Sequence, residues 1–255
     1  MSLTLGVVEF PRLDLTRLSG TSVPFATRRL GNKPVLEWLV RRLTESLLLD
    51  QVVVITDEAQ RDKVRRIVPA DIGVYSSKSP DGLGQLADVV RAFRADQVVR
   101  VPLSCPFVDP ELIDRLVCTA ASNPSCDYIG YFSMDGRPAA LSKVGFFAEW
   151  CKSDAIAKAH RSASSEEERA NSLQFVVSRP DLFQLRFIPI PEKLDRRDLR
   201  LTLEAEEDWD HLHLIFEALG PERIDWRRVV ALLDEHPLLL QRMESLNQGA
   251  ASAVS

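Results

Sequence analysis

The chain has 255 residues and a formal net charge of −5, with 45% hydrophobic and 27% charged residues. That length builds one large α/β domain or two small ones, and the composition is that of a packed globular protein. The acidic balance argues against broad electrostatic binding to nucleic acid, and every apolar run falls well short of the roughly 20 residues a membrane-spanning helix needs.

Met1 to Val8 has no basic segment ahead of its apolar stretch, so it reads as a first strand and not as a secretory signal. The four cysteines, Cys105, Cys118, Cys126 and Cys151, form no Cys-x-x-Cys pair and have no histidine at zinc-finger spacing. Reduced thiols in a cytoplasmic protein are the expectation.

Strand-length apolar runs alternate with helical periodicity, the signature of a mostly parallel sheet covered by helices. Thr4 to Glu9 is the first predicted strand, followed by a long loop from Phe10 to Lys33. A helix starts at Pro34, with Leu36, Leu39, Val40, Leu43 and Leu47 on one face. Gln51 to Thr56 is a buried strand, Glu58 to Val68 an exposed helix, and Gly73 to Tyr75 a short strand. Gln85 to Ala92 is helical and Gln97 to Val101 is a strand. Asp109 is the N-cap of the next helix, with Pro110 in its first turn.

Cys126 to Phe132 reads as a strand. From Ser133 to Ala163 the pattern weakens, and Ser164 to Glu168 then carries a helix-start signal. Phe187 to Ile190 and Leu199 to Leu203 are predicted short strands. Helices follow at Glu206 to Leu219, stopped by Gly220 and Pro221, and at Trp226 to Leu233. Residues 1–247 form a single domain and 248–255 a disordered tail. In open parallel sheets ligands bind beyond the carboxyl ends of the strands. The segments after Glu9, Val101 and Leu203 are therefore the candidate site.

The first of these, Arg12-Leu13-Asp14-Leu15-Thr16-Arg17-Leu18-Ser19-Gly20-Thr21, places guanidinium groups and a glycine just past a strand. Such groups suit a polyphosphate, although a solvated basic loop has the same composition and no Walker or dinucleotide fingerprint is present. Arg28, Arg29 and Lys33 add positive charge. This segment resembles the opening motif of the cytidylyltransferases that activate acidic sugars, above all the spore-coat polysaccharide biosynthesis branch, whose pattern is Arg-Met-Gly-Ser-Thr-Arg-Leu-Pro-Gly-Lys. Arg12, Thr16, Arg17, Leu18 and Gly20 match, while Ser19 replaces the proline and Thr21 the lysine. Leu30 to Glu37 is similar to the family's Leu-Gly-Gly-Lys-Pro-Leu-Leu-Glu.

Val99 to Asp114 is similar to the family's second motif except at Leu103-Ser104, which stands where Gly-Asp is expected. Leu199 to Trp209 is similar to the third, with Glu204 at its metal-binding aspartate. For Glu206, Glu207 and Asp208 the better reading is a helix start; for Glu204 a metal role and a structural one stay open. His211 and His213, two apart on a helix, point to different faces and make no metal site. Asp81-Gly82 is a turn before a helix, at a position that in such folds lies near the base.

The resemblance implies a Rossmann-like, three-layer α/β fold of the nucleotide-diphospho-sugar transferase, glycosyltransferase-A-like type. It implies catalytic roles for Arg12, Arg17 and Lys33, and nucleotide contacts from Arg12, Thr16, Arg17, Gly20, Thr21, Arg28, Asp81, Gly82 and Ser104. It also implies Mg²⁺ held by Glu204, CTP and a sugar as substrates, and surface polysaccharide synthesis as the setting. A homodimer through the divergent region 133–194, which would also carry the sugar site, belongs to the same expectation. Ser104 and Thr21 remove one carboxylate and one cation from the family pattern. Two readings stay open: a divergent nucleotidyltransferase, and a non-catalytic relative that binds a nucleotide or sugar nucleotide or acts as an interaction protein.

Overall fold

A computed structural model describes residues 2–10 and 25–252. The opening motif, with Arg12, Thr16, Arg17, Gly20 and Thr21, lies outside the described residues. Seven strands form one sheet among them. In chain order they are β1 (Thr4–Glu9), β4 (Gln51–Asp57), β5 (Gly73–Ser77), β6 (Gln97–Pro102), β7 (Tyr128–Phe132), β8 (Glu149–Lys152) and β9 (Leu185–Pro189). The numbers β2 (Arg29–Leu30) and β3 (Lys33–Pro34) belong to a small separate hairpin.

The sheet order is β5-β4-β1-β6-β8-β7-β9. β5, β4, β1 and β6 run parallel, β8 is antiparallel to both neighbours, and β9 is parallel to β7. Side chains alternate across each strand, so the sheet feeds two cores. Val8, Val54, Val99 and Val101 pack on one face against the helices α1 (Val35–Thr44), α4 (Pro110–Ala121), α8 (Glu206–Leu219) and α9 (Trp226–Asp234). Leu5, Val7, Val53, Ile55 and Val98 pack on the other against α3 (Gly82–Phe93), α5 (Ser153–Ser162) and α7 (Gln174–Ser178). The remaining helices are α2 (Arg61–Ile67), α6 (Glu166–Ala170) and α10 (Pro237–Ser252). This is the expected three-layer, mostly parallel arrangement.

Several local features follow the sequence closely. Asp109 caps α4 by accepting the amides of Glu111 and Leu112, with Pro110 in the first turn. Ser165 and Glu168 close a capping box on α6, satisfying amides that have no partner within the helix.

Others differ. α1 stops at Thr44, and Leu47, expected on its buried face, is 88% exposed. Asp114 competes for the chain there: its carboxylate accepts the Ser46 hydroxyl and the amides of Leu47 and Leu48. β8 and α5 lie in the stretch where the pattern weakens. Four strand residues between two neighbours are too few to show a period. Leu199 to Leu203 is buried but forms no strand. Its amides bond to loop carbonyls and not to a strand edge: Leu201 and Thr202 to Lys143, and Leu203 to Ser104. α10 continues past Gln248, into the segment that composition reads as a tail.

Candidate active site

Glu9, at the end of β1, stands beside Pro102, the last residue of β6. The chain turns there, and Cys105 N bonds back to the Pro102 carbonyl. The Ser104 carbonyl accepts Leu203 N at 2.8 Å, and the Lys143 carbonyl accepts Leu201 N at 2.7 Å and Thr202 N at 3.2 Å. Three segments far apart in sequence are thus laced together by main-chain bonds at the carboxyl rim of the sheet. Gly145 makes the close approach possible: its φ is +76°, and a Cβ there would lie 2.5 Å from the Leu201 carbonyl oxygen.

Between these segments lies a cavity of about 170 Å³, lined in part by Ser104, Lys143, Glu149, Thr202 and Glu204. Lys143 Nζ lies 2.8 and 2.7 Å from the two carboxylate oxygens of Glu204. Thr202 is only 4% exposed, and its hydroxyl has no partner among the described residues.

The floor is a polar network built across the sheet. Arg100 donates to Glu9 at 2.8 Å and to Glu149 at 2.7 Å, and the Tyr128 hydroxyl donates to the other Glu149 oxygen at 2.7 Å. The β6–β8 register places Arg100 directly opposite Glu149. Burial pulls against the charged guanidinium, but the two carboxylates outweigh it and raise the Arg100 pKa above its ordinary value. Burial and the facing Glu149 push the Tyr128 hydroxyl well above the ordinary phenol range. Glu9 Oε1 is buried without a hydrogen-bond partner. Cys105, in the cavity wall, is pushed up to about 12 by burial. It is a neutral thiol at pH 7 and no nucleophile.

Of the residues singled out in the sequence, Ser104 and Glu204 meet in the cavity. Arg28 is bound to Glu206, at the start of α8, through contacts of 2.5 and 2.6 Å, and its guanidinium stacks on Phe25 and Trp209. Lys33 donates to Asn32 in the hairpin turn at 3.3 Å. Asp81 caps α3 through Gly84 N and receives Arg169 at 3.1 Å. A Cβ on Gly82 would lie 2.8 Å from the Ala170 carbonyl oxygen, so residues 169–172 roof this turn. Asp208 closes onto the Glu204 and Ala205 amides, as a helix-start residue does. His211 is buried within α8, and burial holds its pKa below the ordinary imidazole value.

Lys143, Thr202 and Glu149 escaped the sequence reading. Lys143 and Glu149 lie where periodicity fades, and only the three-dimensional packing brings them to the rim. Thr202 falls within a matched motif, but its orphaned hydroxyl is a property of the fold.

Mg²⁺ prefers oxygen anions, with one or two carboxylates joined by phosphates and waters. Both carboxylates of this cavity are engaged, Glu204 by Lys143 and Glu149 by Arg100 and Tyr128, and Ser104 is neutral. No group of three His, Cys, Asp or Glu side chains among the described residues is arranged to hold a metal. Among the described residues, Glu204 is closed by Lys143 and Ser104 is neutral, so no pair of unengaged carboxylates faces the cavity to hold a divalent ion. No helix among the described residues is long and apolar enough to cross a membrane.

A family model described as Cytidylyltransferase matches residues 25–208. An uncharacterized protein of Methanocaldococcus jannaschii is 25% identical over 211 residues, covering 82% of this chain and 83% of the relative. The spore coat polysaccharide biosynthesis protein SpsF of Bacillus subtilis is 23% identical over 235 residues, covering 89% of this chain and 92% of the relative. The solved structure of a cytidylyltransferase from Leptospira borgpetersenii has a TM-score of 0.75 and 19% identity, covering 94% of this chain and 96% of its own.

Proposed function

We propose that this chain, which belongs to the cytidylyltransferase family, transfers the cytidylyl group of CTP to a sugar at the cavity between Ser104, Lys143 and Glu204. The observation that carries the reading is the cavity itself. It lies at the carboxyl rim of the parallel strands, where ligands of open α/β sheets bind, and it combines a cation with a buried hydroxyl that has no protein partner.

In the reaction the sugar oxygen forms a bond to the α-phosphorus of CTP. The bond from that phosphorus to the pyrophosphate oxygen breaks, and the acceptor hydroxyl loses its proton. Such chemistry asks a protein mainly to position groups and to neutralise phosphate charge. Lys143 supplies a positive charge beside the α-phosphate. Ser104 and Thr202 donate hydrogen bonds to phosphate or sugar oxygens. Arg12 and Arg17 bind the β- and γ-phosphates from the opening loop as bidentate donors, assisted by Thr16, Thr21, Lys33 and the Gly20 amide. The similarity to SpsF supports a sugar of surface polysaccharide as acceptor. The divergent region 133–194 would hold that sugar and the contact of a homodimer, which light scattering tests.

The reading is tested by release of pyrophosphate when CTP is mixed with a panel of acidic and neutral sugars, with ATP, GTP and UTP as controls. Release that depends on both CTP and one sugar class supports it. One observation favours a second reading, a nucleotide-binding relative without turnover: Ser104 offers no charge where the family pattern has an aspartate. CTP binding with no pyrophosphate from any sugar would select that reading.

A further inference from the structure

Lys143 belongs to the segment with the weakest sequence pattern, yet the fold holds it firmly. Its own carbonyl accepts two amides of the 201–202 segment. Two residues on, Gly145 presses the same loop against Leu201 in a conformation that only glycine adopts readily. The ammonium then meets both oxygens of Glu204, at 2.8 and 2.7 Å. The two side chains remain 35% and 38% exposed, while the main chain that carries Lys143 is bonded to the 201–202 segment.

Of the other polar groups of the cavity, Ser104 and Thr202 are neutral and Glu149 is held by Arg100 and Tyr128. Glu149 shares the Arg100 guanidinium with Glu9. Ser104 and Thr202 line the cavity, hydroxyls are able to donate to phosphate oxygens, and the buried Thr202 hydroxyl has no partner among the described residues. An ammonium is a compact point charge with three donors, and phosphate binding is one of its established uses.

We propose that Lys143 is the resident cation of this site, so that the protein binds the phosphates of a nucleoside triphosphate without a divalent metal. The inference rests on the cavity being a nucleotide site. Glu204 is then a positioning residue that holds the ammonium, not a metal ligand.

Calorimetric titration of the full chain with CTP, once in EDTA and once in millimolar Mg²⁺, tests the proposal. The wild type should bind with affinities that agree within about threefold in the two buffers. Lys143→Gln should weaken binding in EDTA roughly tenfold or more, since a charged hydrogen bond is lost. Lys143→Arg keeps the charge and should stay within about threefold of wild type, which separates charge from folding. A wild type that binds tenfold or more tightly only with Mg²⁺ would overturn the proposal. So would a folded Lys143→Gln variant that binds in EDTA as the wild type does. Absence of CTP binding in both buffers would instead remove the nucleotide reading on which the proposal stands.

Discussion

Arg200 and Asp208 form a buried ion pair, with Nε 2.5 Å from Oδ1 and Nη2 3.1 Å from Oδ2. The same carboxylate accepts the main-chain amides of Glu204 and Ala205, each at 2.9 Å. One aspartate thus closes the start of α8, neutralises a buried arginine and fixes the backbone that carries Glu204. Removing one member of a buried pair strands the other charge, at a cost of about 3–5 kcal/mol. Asp208→Ala should therefore lower unfolding stability by about that much in urea denaturation, and Arg200→Met with Asp208→Leu should restore part of the loss.

Asp109 joins α4 to α9. Its Oδ1 accepts Glu111 N at 3.0 Å and its Oδ2 accepts Trp226 N at 3.1 Å. Asp109→Ala should cost about 2–4 kcal/mol, a lost cap plus an orphaned amide. Asp109→Asn, which keeps one accepting oxygen, should cost less than half of that in the same denaturation experiment.

Gly145→Ala places a methyl 2.5 Å from a main-chain oxygen at a φ of +76°. A non-glycine residue in this region costs about 1–3 kcal/mol before the clash is counted. The loop must move, and Lys143 moves with it. CTP affinity should fall by more than the drop in melting temperature alone explains, as calorimetry on the folded variant would show.

Two buried groups contribute pH-dependent stability of opposite sense. Burial holds His211 below its ordinary value, so the folded state disfavours the protonated ring. The unfolded chain takes up the proton as pH falls through about 6.5, and stability declines below that pH by up to about 1.4 kcal/mol per unit. A His211→Leu variant should show a flatter loss between pH 7 and 5. The Cys105 thiol, pushed up to about 12 by burial, acts at the other end. Its contribution is intact below the ordinary thiol value and is lost as pH rises towards 12. At pH 8 native protein should be alkylated at the exposed Cys118 and not at the buried Cys105, Cys126 or Cys151, as peptide mass mapping would reveal.

The sequence made much of this fold legible because its signals are local. Asp109 before Pro110, and Ser165 three residues before Glu168, mark helix starts through groups within one turn of each other. β1, β4 and β6 announce themselves as runs of buried aliphatic residues. The site was legible only in part. Ser104 and Glu204 follow strand-like segments inside motifs that resemble a family pattern, although both depart from it at their own positions, so their neighbourhood could be expected. Lys143 could not, since its place depends on carbonyl contacts with residues some 60 positions away, through which no periodicity runs. Leu199 to Leu203 misled for a related reason. Its residues are as apolar as a strand's, but the partners of its amides are loops.

A carboxylate beside Glu204 should change the cation that the cavity accepts. Ser104→Asp combined with Lys143→Gln frees Glu204, adds a second carboxylate beside it and removes the ammonium, a donor set closer to that of Mg²⁺. This double variant should bind CTP only in the presence of Mg²⁺, in contrast to the parent chain, and titration in EDTA and in Mg²⁺ would read the difference.

The central claim is that the triphosphate of CTP occupies the rim cavity. A crystal structure of the full chain with CTP tests it most directly. The account predicts phosphate density within hydrogen-bonding distance of Lys143 Nζ and the hydroxyls of Ser104 and Thr202. A nucleotide bound elsewhere, with Lys143 still closed on Glu204 and the cavity holding only water, would contradict it.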